Sequence, residues 1–521
     1  MKTFFSPKAY SWTQDGGFFF RGYFIAEDHC LRGAEAIAYL KKSFSEQTSA
    51  AVLRSLNGCF SLIWERESDI LFAVDRLRSL PLFYSVVDGA LWIGDDAASL
   101  ADALPQWTFD EVSAEEFIST EIFVSGANTL LKELRQVQAS EYCLFQLNGA
   151  QLSTQSYFHA EHGNFFDDTD MDNLRREFMA AYTKTGKSLV KALDGRTAVL
   201  PLSGGADSRM IAALLKQEGY SRVICYTYGR EGNPESEISR KVAESMGFTW
   251  YMVPYTAKMW ENLRSDPELI SYDRLGFAFT STPHLQDFPA VKYLKEHGLL
   301  PEDSVFVPGH SGDLLAGSHI TGEFLAQSLS HETFLRTIVQ KFYNSSPSHA
   351  LMQRIAARFP KLPSQDMEGL ASQSEWFNTQ ERQSKFIVNS VRVYEHFGYE
   401  WLIPLWDNDQ FDFWKRVSLP WRFQRKLYFQ IVDSKLPSTN DVTAVGKLAD
   451  RVRRIPGIRQ IPRRTTRFFR YWYSPLNIDH LFPARDYFKE VFLGSSTFST
   501  QTISSQRHLK WLRKKCDSRK G

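Results

Sequence analysis

Six consecutive residues, Ser203-Gly204-Gly205-Ala206-Asp207-Ser208, carry the clearest chemistry in this chain of 521 residues. They follow the apolar run 198–202 and precede a stretch with helical periodicity. Two adjacent glycines permit positive φ, so successive backbone N–H groups can point into one concavity. A helix expected from about Asp207 aims the positive end of its dipole at the same place. The hydroxyls of Ser203 and Ser208 add further donors. Such a turn binds an anion, and phosphate is the anion it suits. It is not the loop G-x-x-x-x-G-K-[ST], because no lysine follows the glycines, and it is not the dinucleotide fingerprint G-x-G-x-x-G.

A second glycine-rich turn, 306–317, brings His310 and Asp313 to the end of another apolar run. Alone, an aspartate after such a turn reads as a surface cap. The phosphate-type loop upstream is what gives it interest. The five cysteines, Cys30, Cys59, Cys143, Cys225 and Cys516, are scattered without a C-x-x-C pair. That spacing excludes a zinc ribbon and a disulfide scaffold and points to a reducing compartment.

The elements that must position these residues fall into two textures. To about residue 157 the chain reads mostly as β. Apolar and aromatic runs at 18–25, 60–64, 70–74, 82–87 and 90–93, separated by polar punctuation, predict consecutive hairpins. Runs 142–147 and 151–156 flank Asn148-Gly149, a strong hairpin signal. From about Met171, helical stretches (172–191, 209–218, 235–246) alternate with short apolar runs (197–202, 223–227, 305–307). This alternation predicts βαβ units and a parallel sheet. Beyond Pro404 the chain reads as mainly helical.

The polar stretch 159–170 marks the boundary, which gives units 1–165, 166–450 and 451–521. The last unit holds seventeen basic residues against four acidic ones, with eight arginines between Arg451 and Arg470 next to Phe468, Phe469, Tyr471, Trp472 and Tyr473. It is expected to be a solvated basic face, or to dock on an anionic partner or lipid headgroups.

Composition narrows the function classes. With 61 basic and 60 acidic residues the formal charge is +1, which argues against a nucleic-acid backbone as partner. Hydrophobic residues at 43% and aromatics at 14% exclude wholesale disorder. No apolar run approaches the ~18–20 residues that span a bilayer, and 1–7 lacks the apolar stretch of a secretory signal. A cytoplasmic location is therefore expected.

On these motifs the chain resembles the asparagine synthetases. The 203–208 loop is similar to the pyrophosphate loop of N-type ATP pyrophosphatases. Val223-Ile224-Cys225-Tyr226-Thr227-Tyr228-Gly229 and the stretch 235–247 are similar to the family's next strand, glycine turn and "VAxxLG" helix. The turn 306–317 is similar to "SGEGSDExFGG", and 398–407 to "GLEVRVPFLD". The fold this implies is α/β, a doubly wound parallel-sheet ATP pyrophosphatase (adenine nucleotide alpha hydrolase-like) domain preceded by a degenerate Ntn-type antiparallel β-sandwich.

The resemblance also implies ATP and Mg²⁺. Leu202, Ser203, Gly204, Gly205, Asp207, Ser208, Tyr228, Gly229 and Gly309 would line the nucleotide, while Asp207 and Asp313 would bind Mg²⁺. The catalytic roles fall on His310, as general base toward an incoming ammonium, on Lys447, against the pentavalent α-phosphate, and on Glu400. The implied reaction adenylates a carboxylate with ATP and transfers the acyl group to an amine or ammonia, aspartate to asparagine being the first expectation. A homodimer is carried over in the same way.

The sequence departs from the family pattern at several places. His310 stands for its glutamate, Leu314 for the second residue of its "DE" pair, Leu402 for its arginine, and Asn389 and Val391 for the lysine and aspartate of "KVDR". The acceptor pocket is therefore expected to be remodelled. A specialised amide ligase is the alternative: a peptide cyclase, a β-lactam synthetase-like enzyme, or an enzyme amidating a sugar acid in polysaccharide biosynthesis. A non-catalytic ATP-binding scaffold is the reading from another class.

Upstream, 56–64 and 72–84 are similar to "LNGMFAFAIWD" and "LARDRFGIKPLYY" of the family's glutaminase domain, which uses an amino-terminal cysteine. Residue 2 is Lys2, "RGPD" is absent and Arg21-Gly22-Tyr23 stands where "NGE" would be; from the resemblance, about fifty initial residues of that domain are expected to be lost. Glutaminase chemistry is expected to be absent.

Overall fold

In a computed structural model the chain is described at residues 1–6, 8–167, 169–325, 329–359, 366–435, 474–484, 487 and 500–519. Lys447 and the basic stretch 451–473 lie outside the described residues.

The amino-terminal unit has two facing sheets. One runs in the order Gln151–Ser156, Glu141–Gln146, Asp69–Val74, Asn57–Glu65, Phe18–Ala26 and Thr13–Asp15, with His29–Arg32 also paired to Phe18–Ala26. The other runs Lys2–Phe4, Ala90–Gly94, Phe83–Val87 and Arg135–Gln136. Pairing is antiparallel except between Lys2–Phe4 and Ala90–Gly94.

The strand Asp69–Val74 shows why an almost wholly apolar run forms here. Ile70, Phe72 and Val74 face the core between the sheets, while Leu71 and Ala73 face a second core beneath the helices. A strand buried on both faces loses the apolar–polar alternation of a half-exposed one.

Two expectations need correction. Runs 70–74 and 82–87 are not one hairpin, because Phe83–Val87 lies in the other sheet. Asp75 turns the chain between sheets, its carboxylate accepting the N–H groups of Leu77 (2.8 Å), Ser79 (3.1 Å) and Phe60 (3.2 Å). Nor is the unit mostly β, since helices Gly33–Glu46, Ser49–Ser55, Ala97–Ala103 and Glu111–Thr120 cover its faces. In the first of these, Ala36, Ile37 and Leu40 are buried at helical spacing.

The second unit is built on five parallel strands in the order Thr249–Pro254, Val223–Gly229, Ala198–Pro201, Val305–Phe306 and Glu400–Trp401. The chain adds strands to one side of Ala198–Pro201, then returns to add the last two on the other side. The crevice between Ala198–Pro201 and Val305–Phe306 is therefore the point where winding reverses, and ligands of such sheets bind at its carboxyl end. Both glycine-rich turns leave the sheet there. Helices Met171–Leu193, Ala206–Gln217 and Pro234–Met246 pack on this sheet with Leu189, Ile211, Leu215 and Val242 buried.

Candidate active site

The site begins where Leu202 closes its strand, its N–H donating to the Tyr226 carbonyl at 2.8 Å. The loop then differs from the expected one in two respects. Neither Gly204 nor Gly205 adopts positive φ, and Gly205 is extended at φ −68°, ψ 157°. The glycines provide clearance instead, since a Cβ on Gly205 would stand 3.1 Å from Ser203 Oγ.

The hydroxyls are also engaged inside the loop. Ser203 Oγ accepts the Gly205 N–H at 3.1 Å, and Ser208 Oγ accepts the Ser203 N–H at 3.1 Å. What remains for an anion is the start of Ala206–Gln217, whose cap residue Gly205 offers no side-chain acceptor to the first-turn amides.

Asp207 stands in that first turn. Its Oδ1 accepts the Tyr428 hydroxyl at 2.6 Å and its Oδ2 accepts the Asp313 N–H at 3.1 Å. Burial and the neighbouring Asp313 raise its pKa to about 6. The two aspartates meet because glycines let the second turn lie against the helix. A Cβ on Gly309 would stand 2.8 Å from the Ser208 nitrogen, and one on Gly312 would stand 3.2 Å from the Asp207 carboxyl carbon.

The donor set fits Mg²⁺. Two hard carboxylates brought to one place are suited to share a small divalent ion with phosphate oxygens and water. Among the described residues no group of three or more His, Cys, Asp or Glu side chains converges as a metal cage, so the pair would hold the ion only together with other oxygens.

A cleft of about 1050 Å³ opens over these residues. It takes in Leu202 to Ser208, Tyr228, Gly309, His310 and Asp313, which brings together most of the residues expected from sequence. Tyr228 stacks on Tyr255 with ring centroids 4.9 Å apart. Gly229 lies just beside the lining. Its φ of +138° turns the chain beneath Pro475, whose carbonyl accepts the Arg230 N–H at 2.7 Å.

On the turn that carries Asp313, His310 lines the cleft with Nε2 2.8 Å from Ser390 Oγ, which itself reaches the Ile387 carbonyl at 2.8 Å. Burial, helped by His284, lowers the His310 pKa to about 3. The imidazole is thus neutral but only weakly basic, unlike the base of ordinary pKa expected from the sequence. Asp287, buried among the cleft-lining residues, takes the Tyr394 hydroxyl at 3.5 Å.

One expected catalytic residue does not join the site. Glu400 pairs with Val305, level with Ala198, so it lies at the opening end of the sheet, about 13 Å down the strand from Leu202. There it bridges Arg32 (2.8 Å) and Arg196 (2.7 Å). Charge pairing between units, not chemistry, explains this glutamate. Lys447 lies outside the described residues.

Sequence reading missed His284, Asp287, His319, Arg382, Gln383, Ser390, Arg425 and Tyr428, all of which line the cleft. The unusual stretch that carries Arg382 and Gln383, a π-helix from Thr379 to Ile387, has no periodic signal to reveal it.

Comparison with known proteins agrees with this geometry. Residues 193–423 match the asparagine synthase domain model and residues 29–158 the glutamine amidotransferase domain model. A probable glutamine-hydrolysing asparagine synthetase of Acanthamoeba polyphaga mimivirus is 29% identical over 122 residues, which is 23% of this chain and 21% of that protein. The chain thus spans about a fifth of the length of this curated relative.

Among solved structures, the NH3-dependent NAD synthetase from Campylobacter jejuni subsp. jejuni NCTC 11168 aligns at 16% identity and TM-score 0.20, over 29% of this chain and 62% of that one. The glutamine phosphoribosylpyrophosphate amidotransferase from B. subtilis aligns at 10% identity and TM-score 0.19, over 68% and 76%. At those scores neither adds to the fold described above. The two domain matches, in the order the motifs require, support the asparagine synthetase family for this chain.

Proposed function

We propose that this chain is an AMP- and pyrophosphate-forming ligase that uses ATP to activate a carboxylate as an acyl-adenylate and passes it to an amine, forming an amide. The observation that carries the reading is the meeting of Asp207 and Asp313 beside an anion-binding helix start, in one cleft of about 1050 Å³. A carboxylate is a poor electrophile, and AMP makes it a good one.

The loop and first-turn amides hold the triphosphate tail so that the carboxylate meets the α-phosphorus, which is positioning plus charge stabilisation. A bound Mg²⁺ would neutralise the departing pyrophosphate. Tyr428 and the Asp313 N–H hold the Asp207 carboxylate in one orientation. His310 and Ser390 present neutral hydrogen-bonding groups to the acyl end.

Aspartate with ammonia is the first substrate pair to test. A specialised carboxylate is the second reading, favoured by Leu402. This residue is 1% exposed and packed in the core where the family motif has an arginine.

We further propose that the amino-terminal unit has lost glutamine hydrolysis. Arg21, 2% exposed, fills the place of "NGE" and is ion-paired to Asp95 and Glu395. Cys59 and Cys143 are interior thiols whose pKa burial drives up.

Exchange of labelled pyrophosphate into ATP, over a panel of carboxylates, tests both readings together with an assay for glutamate release. Exchange that depends on a carboxylate and drops at least a hundredfold in Asp207→Asn is expected, with no glutamate formed from glutamine. Release of ADP in place of AMP, or thiol-dependent glutamate release, would overturn the corresponding reading.

A further inference from the structure

We infer that Arg382 and Arg425 form a two-guanidinium clamp for the pyrophosphate end of the nucleotide, on the side of Asp313 away from the 203–208 loop. The inference rests on the ligase reading for its place in a reaction, but its geometry stands independently.

Arg382 lines the cleft and is largely buried. Among the described residues no carboxylate lies within 4.0 Å of it, and its one hydrogen-bonding neighbour is the neutral ring of His319, 3.4 Å from Nη1. Arg425 also lines the cleft, with Nη1 3.9 Å from Asp313 Oδ2, too far for a hydrogen bond, and its guanidinium 4.6 Å from the Phe429 ring centroid. The other arginine of the cleft, Arg209, turns back to donate from Nε to the Gly205 carbonyl at 3.2 Å. A largely buried cation such as Arg382, without a close carboxylate, is costly unless an anion completes it, and Arg425 is held only loosely, 3.9 Å from Asp313.

The backbone that presents them is irregular at both places. Arg382 rides on the π-helix Thr379–Ile387, a geometry concentrated at functional positions. Arg425 and Gln424 adopt left-handed φ of 59° and 56° between helices Leu419–Arg422 and Lys426–Lys435. Two successive non-glycine residues in that region are strained, and the strain sets Arg425 beside Asp313.

Planar guanidinium groups match phosphate oxygens bidentately. As a carboxylate oxygen bonds to the α-phosphorus, the bond to the bridging oxygen breaks and its electron pair leaves with pyrophosphate. The negative charge therefore grows on the atoms between Asp313 and the two arginines. Asp207 and Asp313 would hold a divalent ion there, which would offset the Asp313 charge and leave Arg425 to pair with those oxygens.

Calorimetric titration of the full chain with magnesium pyrophosphate, and separately with AMP, tests the clamp in Arg382→Gln and Arg425→Gln. Pyrophosphate binding weakened at least tenfold in each, with AMP binding within twofold of the parent and the thermal midpoint unchanged, is the expected result. Arg382→Lys and Arg425→Lys keep the charge without the fork and are expected to lie between; they replace the glutamine variants if those fail to fold. Pyrophosphate binding unchanged in both variants, or AMP binding lost in parallel, overturns the clamp. A parent protein that binds pyrophosphate but exchanges none of it into ATP with any carboxylate would sink the ligase reading while leaving the clamp standing.

Discussion

His310 shows how the surroundings of one residue redirect its chemistry. A solvent-exposed imidazole titrates near ~6.5, but burial and His284 lower this one to about 3. Its protonated form is therefore nearly absent above pH 5, and its power to accept a proton is correspondingly weak. If the Ser390 hydroxyl donates to Ile387, the ring donates from Nε2 and turns Nδ1 toward its other neighbours. The expected pH–rate profile has no limb near 6.5 that belongs to His310, and His310→Asn should lower kcat while leaving the profile's shape. A limb between pH 6 and 7 that vanishes in His310→Asn would show instead that this ring is the titrating base.

At the scale of elements, the contact between the 306–317 turn and helix Ala206–Gln217 decides whether the two aspartates meet. Gly309 permits it by absence of a side chain, since its Cβ would lie 2.8 Å from the Ser208 nitrogen and 3.0 Å from its Cα. These are backbone atoms of a helix start, which cannot swing aside as a flexible side chain would. Gly309→Ala should cost ~1–3 kcal/mol in overpacking and separate Asp313 from Asp207. Pyrophosphate exchange is expected to fall at least tenfold while circular dichroism stays native. Exchange at the parent rate would mean that the turn has room the structure does not show.

Over the whole molecule the two units share one hydrophobic core and a buried charge network. The core runs from Phe18 and Leu40 through Val199 and Ile211 to Trp401 and Tyr428. Arg21 of the first unit is paired with Glu395 of the second at 3.2 Å, and Glu395 is paired with Arg392 at 2.6 Å. Lys385, with no exposed surface, joins Glu381 and donates to the carbonyls of Val124 and Gly126, each at 2.8 Å. Breaking one member of such a network leaves a charge buried without its partner, at a cost of ~3–5 kcal/mol. Arg21→Met is therefore expected to lose stability of that order in urea denaturation, and the parent is expected to unfold in one calorimetric transition. Two separate transitions, with Arg21→Met affecting only the first, would show the units to be independent.

This integration gives the first unit a structural role in the second. Its sheets and helices serve as one wall of the second unit's core, so their apolar positions are held by packing whatever chemistry the unit performs. Among the described residues, no helix is long and apolar enough to cross a membrane.

The sequence by itself placed the glycine turn between a strand and a helix and set the parallel architecture around it. These follow from local backbone rules: where a buried strand ends and where a helix begins. The choice of Asp207 and Asp313 came from the family resemblance. Even so, the sequence misjudged how the turn works, because φ at Gly204 and Gly205 and the hydroxyl pairing of Ser203 with Ser208 depend on the packed loop. Only the tertiary structure decided that Glu400 belongs to a salt bridge at the far end of the sheet, that His310 is a weak base, and that Arg425 stands beside Asp313 in the cleft that Arg382 also lines. Those outcomes depend on strand register, burial and side chains dozens to hundreds of residues apart, and no spacing along the chain encodes a meeting of that kind.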